Sequence, residues 1–316
     1  VIQNDVNSAD AVFTLGIAYA EANRLIEALA IFGCLQLYKN DDVRIPYNIG
    51  LIYSLQGEHQ LALVAYDLAL KIKPDDIDTL VNKGSTCNDI KNYDLALEVL
   101  EKATQIRSNI PEAWSNKGIA LNNLNLYLES INAYNEAIKL APNYHEAWSN
   151  KSVPLNKLKR FLEASEACDI AISLKPDFAE AWSNKGNALY ELKLFDKAIA
   201  HYDKALSLKP DYAEGWSSKG VTLNELKRFD EAIAHFDKAL TLKPNIDWVS
   251  GDLLHTKMKI CSWSVLAESL GDISKKVMAN ERAVNPFPLL ALSDDVLLHK
   301  KSSEIYAQSR YPFNPV

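Results

Sequence analysis

Apolar side chains punctuate this chain at an interval much longer than a helix turn. Trp114, Trp148, Trp182 and Trp216 stand 34 residues apart, and four residues after each come Gly118, Ser152, Gly186 and Gly220. Pro142, Pro176, Pro210 and Pro244 keep the same interval, Pro74 is in phase, and Gly16, Gly50 and Gly84 extend it back towards the start. Seven units result, beginning near Ala9, Val43, Ile77, Pro111, His145, Ala179 and Ala213. At about 100° per residue, Trp114, Lys117, Gly118 and Leu121 share one side of a helix, so that side packs against neighbours. The other side carries Glu112, Ser115, Asn116, Ile119, Asn122 and Asn123. Later in the unit a second apolar set, such as Ala198, Tyr202 and Ala205, marks a second helix.

Each marker has a mechanical reason. Pro176, Pro210 and Pro244 stop the preceding helix, because proline lacks the N–H and its ring clashes with the previous turn. Asp177-x-x-Glu180 and Asp211-x-x-Glu214 have the spacing of capping boxes that would open the next helix. Gly186, Ala198 and Ala205 leave room for helices to cross closely. This order of Trp, Gly, small residues, aromatic and Pro, repeated every 34 residues, resembles the tetratricopeptide (TPR) repeat, a helix–turn–helix unit. The resemblance implies an all-α fold, a right-handed superhelical solenoid of about seven repeats over residues 1–246 with a helical extension over 247–316. Several positions depart from the pattern. Ser152 replaces the glycine, Pro154 should kink its helix or cost it a backbone bond, Asn40 and Ser108 replace closing prolines, and Lys83, Lys117, Lys151, Lys185 and Lys219 occupy a usually apolar place. The lysine stems are expected to cover the core edge while the ammonium reaches water.

In a stack of such units the first helices line a concave face. Asn48, Asn82, Asn116, Asn150 and Asn184 recur there, with Thr14 and Ser218 at the ends, and a second series follows at Asn88, Asn122, Asn156 and Asn224. An amide side chain matches the donor and acceptor of a peptide backbone. The ladder is therefore expected to hold an extended protein or peptide segment through its main chain. Helix capping, bridging between helices and simple copying by duplication are the alternatives. Glu112, Glu146, Glu180 and Glu214 are expected to cap helices, with ligand contact as the alternative. Gripping a C-terminal carboxylate would need basic residues on this face, which carries Glu, Ser and Asn instead.

The 316 residues are 48% hydrophobic and 24% charged, with a net charge of -7. That balance gives no footprint for nucleic acid. No apolar stretch is long enough for a bilayer and no signal peptide opens the chain, so a cytoplasmic, non-membrane protein is expected. Cys34, Cys87, Cys168 and Cys261 lack CxxC spacing and read as free, mostly buried core fillers; no metal or other cofactor site is expected. The composition is compatible with a homodimer.

After Pro244 the markers fall out of phase. Residues 253–277 read as two helices joined at Cys261-Ser262-Trp263, residues 285–295 as a proline-containing loop, and residues 297–312 as an amphipathic helix ending before Pro312. With the asparagine ladder, the Cys-x-Trp junction, the PFPLLALSDD element at 286–295 and Tyr311-Pro312 resemble the SPINDLY-like, bacterial branch of the protein O-GlcNAc transferases. The resemblance implies that this chain recognises acceptor proteins for a UDP-N-acetylglucosamine or fucose transferase whose catalytic lobes would follow Val316. No catalytic residue is assigned within the chain. A free-standing, non-catalytic TPR adaptor capped by residues 247–316 is the rival expectation.

Overall fold

The computed structural model describes residues 6–262 and 266–310, and among them every regular element is a helix. Antiparallel pairs follow one another: α1 (Val6–Glu21) with α2 (Leu25–Tyr38), α3 (Arg44–Leu55) with α4 (His59–Ile72), α5 (Ile77–Asp89) with α6 (Tyr93–Ile106), and α7 (Pro111–Asn123) with α8 (Tyr127–Leu140). With α9 (His145–Lys157) they form a first compact unit, residues 1–158. The second unit, residues 159–316, opens with α10 (Phe161–Leu174) and contains the pairs α11 (Ala179–Glu191) with α12 (Phe195–Leu208) and α13 (Ala213–Glu225) with α14 (Phe229–Leu242). It continues through α15 (Val249–Lys259), α16 (Leu266–Met278), α17 (Pro286–Leu292) and α18 (Val296–Arg310). Five of the seven unit starts expected from the repeat, Ile77, Pro111, His145, Ala179 and Ala213, are the first residues of helices.

Within each unit the pairs are locked by the glycine on the first helix. A Cβ on Gly186 would lie 2.6 Å from Tyr202 Cε1, so only glycine admits the ring at that crossing. The turn inside each pair is equally regular. Asn23, Gly57, Lys91, Asn125, Lys159, Lys193 and Lys227 are all left-handed, 34 residues apart. This is the Schellman closure of a helix C-terminus, and the N–H of the following residue returns to the helix, as from Leu126 to the Leu121 carbonyl (2.9 Å).

Two expectations about the helices need correction and one is met. The Asp-x-x-Glu patterns are not capping boxes: α11 and α13 begin at Ala179 and Ala213, their N-caps are Phe178 and Tyr212, and neither has a side-chain cap bond. Asp177 and Asp211 stand one residue too early to reach the first free N–H groups. At α5 the aspartate occupies the cap itself, and Asp76 accepts from the Thr79 N–H. The expectation for Pro154 is met in its second form: α9 continues through it to Lys157, and the missing N–H removes the helical donor of the Asn150 carbonyl. The second correction is that 285–295 contains α17 rather than only loop, because Pro286 occupies its first position, where a missing N–H costs nothing.

The repeat register also outlasts its markers. Cys261, 34 residues after Lys227, is again left-handed (φ 57), and α15 packs on both α13 and α14. The helical extension expected from residue 247 thus begins with a helix packed on the last repeat pair. Beyond it, Leu254, Ile273, Val277, Val284, Leu289 and Leu298 form a separate core between α15 and α18. Trp263 and Tyr311-Pro312 lie outside the described residues. Among those described, no helix is long and apolar enough to cross a membrane.

Candidate peptide-binding face

The repeated EAWSNK stretch divides by side. Each tryptophan ties its helix to the loop before it: Nε1–H donates to the carbonyls of Ser108, Pro142, Pro176 and Pro210 from Trp114, Trp148, Trp182 and Trp216 at 2.7, 3.0, 2.8 and 2.9 Å. Trp182 and Trp216 also pack against His201 and His235, with ring centroids 5.4 and 5.2 Å apart. The serine turns inward rather than outward. Ser115, Ser149 and Ser183 are buried, and Ser115 and Ser183 hydrogen-bond the hydroxyls of Tyr144 and Tyr212.

The lysine side chains are largely covered, as expected of stems at the core edge, and their ammonium groups end on exposed carboxylates. Lys83, Lys117 and Lys219 bind Asp67 (2.6 Å), Glu101 (3.2 Å) and Asp203 (2.6 Å), each sixteen residues earlier on the second helix of the preceding pair, and Lys185 binds Asp169 likewise. Lys117 and Lys151 lie over the rings of Trp114 and Trp148 at 5.5 and 5.3 Å. The lysine thus stitches successive pairs. Two of the glutamates do similar work, since Glu180 and Glu214 pair with Lys209 (2.7 Å) and Lys243 (2.8 Å) in the loops leading to the next pair. Burial alone would raise both carboxyls, but those lysines hold them below the usual carboxylate range.

What remains for the open side of the first helices is the asparagine. Asn48, Asn82, Asn116 and Asn150 occupy one place on α3, α5, α7 and α9 in the first unit, and Asn184 the same place on α11 in the second; all five are half-buried. Asn48 and Asn82 donate one N–H back to the carbonyls of Arg44 (2.7 Å) and Asp78 (2.9 Å), and Asn82 also donates to the Tyr47 hydroxyl (3.2 Å). The side-chain oxygen of each is left to accept.

The second series lies deeper. Asn88 donates to the Asn116 carbonyl on the next first helix (3.0 Å), and the side-chain oxygens of Asn88, Asn122 and Asn156 are enclosed without a hydrogen-bond partner. That geometry fits bridging between helices, and Asn224 accepts from Lys259 Nζ (3.2 Å).

One residue on this face escaped the sequence reading. Asp252 on α15 stands 34 residues after Ser218, which itself stands 34 after Asn184, so it continues the ladder. Burial pushes its carboxyl up to about 6, with Lys259 opposing. Tyr190 lies nearby; burial, then the carboxylates of Glu225, Glu191 and Asp252, push its hydroxyl up to about 12. The 34-residue count alone could have found Asp252, had the loss of Trp and Gly not ended the count at Pro244.

The cysteines are free, but only Cys87 and Cys168 are buried, while Cys34 and Cys261 are exposed. Burial raises the Cys87 thiol to about 11, which leaves it inert as a nucleophile. Among the described residues no group of three or more His, Cys, Asp or Glu side chains could hold a metal ion.

The tetratricopeptide repeat profile matches residues 47–76, 77–110, 111–144, 179–212 and 213–246. No curated protein matches the chain. Among solved structures, a tetratricopeptide repeat protein from Parabacteroides merdae ATCC 43184 aligns with a TM-score of 0.68 at 17% identity, over 80% of this chain and 99% of that one. The APC/C hetero-tetramer Cut9–Hcn1 aligns at 0.64 and 16% identity, over 89% of this chain and 52% of that one. MamA is 28% identical over 56% of this chain and 95% of its own, with a TM-score of 0.47. The first two share the fold. With five of its repeats matched over more than half its length, the chain belongs to the tetratricopeptide repeat family.

Proposed function

We propose that this protein is a scaffold that binds extended polypeptides along the open side of the first helices of each unit, through Asn48, Asn82, Asn116 and Asn150 in the first and Asn184 in the second. The observation that carries this reading is the recurrence of a half-buried amide at one place on five successive first helices, with an acceptor oxygen to spare at Asn48 and Asn82. Such groups address main-chain N–H and C=O groups, so affinity should depend little on the side chains of the partner. Asn88, Asn122 and Asn156 position the ladder from behind, and Asn224 and Asp252 extend it in the second unit. Replacing Asn116, Asn150 and Asn184 with alanine should weaken unrelated extended peptides by a similar factor, roughly tenfold if each lost bond is worth about 0.5 kcal/mol. Unchanged affinities would remove the ladder from the mechanism.

A finer form of the reading makes the scaffold the acceptor-recognition arm of a protein O-GlcNAc transferase. It is supported by the resemblance of residues 261–263 and 286–295, and by Phe287 and Leu290, which are 82% and 61% exposed where a finished cap would bury them. The rival, a non-catalytic adaptor, is supported by the self-contained core of α15 to α18, which closes the second unit as a cap would. The intact mass of the native gene product separates them. A mass well above 35.3 kDa favours the recognition arm, and a mass near it favours the adaptor.

A further inference from the structure

We propose that a cavity between α14, α15 and α16, away from the asparagine ladder, binds a tryptophan side chain presented by an acidic segment of a partner polypeptide. The cavity has a volume of about 380 Å³ and apolar walls that include Leu240, Leu253 and Ile273. Its occupant can be read from the repeat. Ser250 lies 34 residues after Trp216, Ser269 lies 34 after His235, and both serines line the hole. In the preceding pair those places hold an indole against an imidazole, 5.2 Å between centroids, with the indole N–H on the Pro210 carbonyl at 2.9 Å. At the same count on α15 and α16 both rings are gone, and these two helices pack less closely than α13 and α14 do. The equivalent carbonyl, Pro244, takes Lys276 Nζ instead, at 3.1 Å. The cavity therefore opens between the two positions where the 34-residue count would put an indole and an imidazole, and Lys276, which holds the Pro244 carbonyl, is part of its lining.

The charge at the rim specifies what should flank that tryptophan. Lys257, Lys275 and Lys276 line the cavity against a single carboxylate, Asp272, which already pairs with Lys275 at 3.4 Å. The nearest carboxylate to Lys257 is Asp237, at 3.9 Å. An incoming indole would take over the Pro244 carbonyl and free the Lys276 ammonium for an acidic neighbour of the tryptophan. Aromatic anchors in a pocket with charged partners at the rim are the arrangement in which a few residues dominate binding. This proposal does not depend on the ladder.

The test is calorimetric titration of the full chain with the peptide acetyl-Glu-Glu-Trp-Glu-Glu-amide. Binding is expected, and it should weaken about tenfold or more when the peptide tryptophan becomes alanine or when Lys276→Glu reverses the rim charge. The pair Ser250→Trp and Ser269→His rebuilds the stack in place and should abolish binding without loss of helix by circular dichroism. If that pair fails to fold, Lys276→Glu, at a half-buried position, carries the test alone. No binding at about 1 mM peptide, equal affinity for the alanine peptide, or binding that survives either protein change would overturn the proposal.

Discussion

Replacing Gly186 with alanine sets two effects of opposite sign against each other. In an open helix interior the change should stabilise by about 1 kcal/mol, because glycine loses more backbone freedom on folding. Here the new methyl would lie 2.6, 2.8 and 2.9 Å from three ring atoms of Tyr202. That ring cannot withdraw: Tyr202 is 1% exposed and its hydroxyl donates to Asn187 Oδ1 at 2.8 Å. Overpacking of this kind costs about 1–3 kcal/mol, so crowding wins and the net loss is about 1 kcal/mol. The chain points to the control. Its one unit with a larger residue at this place, Ser152, carries Cys168 sixteen residues on, where Gly118, Gly186 and Gly220 are followed by Tyr134, Tyr202 and Phe236. In a Tyr202→Cys background the same Gly186→Ala change should therefore be neutral or stabilising, a coupling of about 1–2 kcal/mol between the two sites. Urea unfolding of the four proteins by circular dichroism measures it, fitted as coupled repeats because such arrays do not melt as one two-state unit. If Gly186→Ala stabilises the parent as much as the Tyr202→Cys protein, the ring contact does not set the spacing of the pair.

Two further changes probe the turns and the ladder's end. Lys227 sits at φ 60, where a side chain is strained, so Lys227→Gly should raise stability by about 0.5–1 kcal/mol, whereas Lys204→Gly in the interior of α12 should lower it by about 1 kcal/mol; thermal melts compare them. Asp252 has its folded-state pKa raised to about 6 from 3.8, so the stability it contributes is fully present below about pH 4 and is lost as pH rises through 6. Asp252→Asn should therefore gain about 1–2 kcal/mol at pH 7.5, with allowance for the water the open face admits, and little at pH 4, read from urea midpoints at the two values.

Much of this architecture was legible because repetition averages away local noise. A proline at one place follows the second helix in most copies, and a glycine faces an aromatic ring at Gly16, Gly50, Gly118, Gly186 and Gly220, so helix starts at Ile77, Pro111, His145, Ala179 and Ala213 followed from counting. Side-chain direction was harder to read. Ser115 and Asn116 are adjacent and polar, yet a helical step of about 100° turns one into the core and leaves the other on the open side. The partners of the lysines went unread because their carboxylates lie on a different helix sixteen residues back. A capping box depends on a register of one residue, and Phe178, not Asp177, occupies the cap. The cavity at Ser250 is invisible in composition: counting shows only that the tryptophan of the four preceding units is missing there, and the space beside it appears only in the fold.

The central claim is that the asparagine amides on the open side hold the main chain of an extended polypeptide. The most direct measurement is the nitrogen–proton correlation spectrum of the asparagine side-chain NH2 groups, recorded with the chain free and saturated with an unstructured peptide. The account predicts that the Asn82, Asn116 and Asn150 signals move together for peptides of unrelated sequence, while that of Asn135, on the second helix α8, stays in place. Ladder signals that stay fixed while the peptide binds would contradict it.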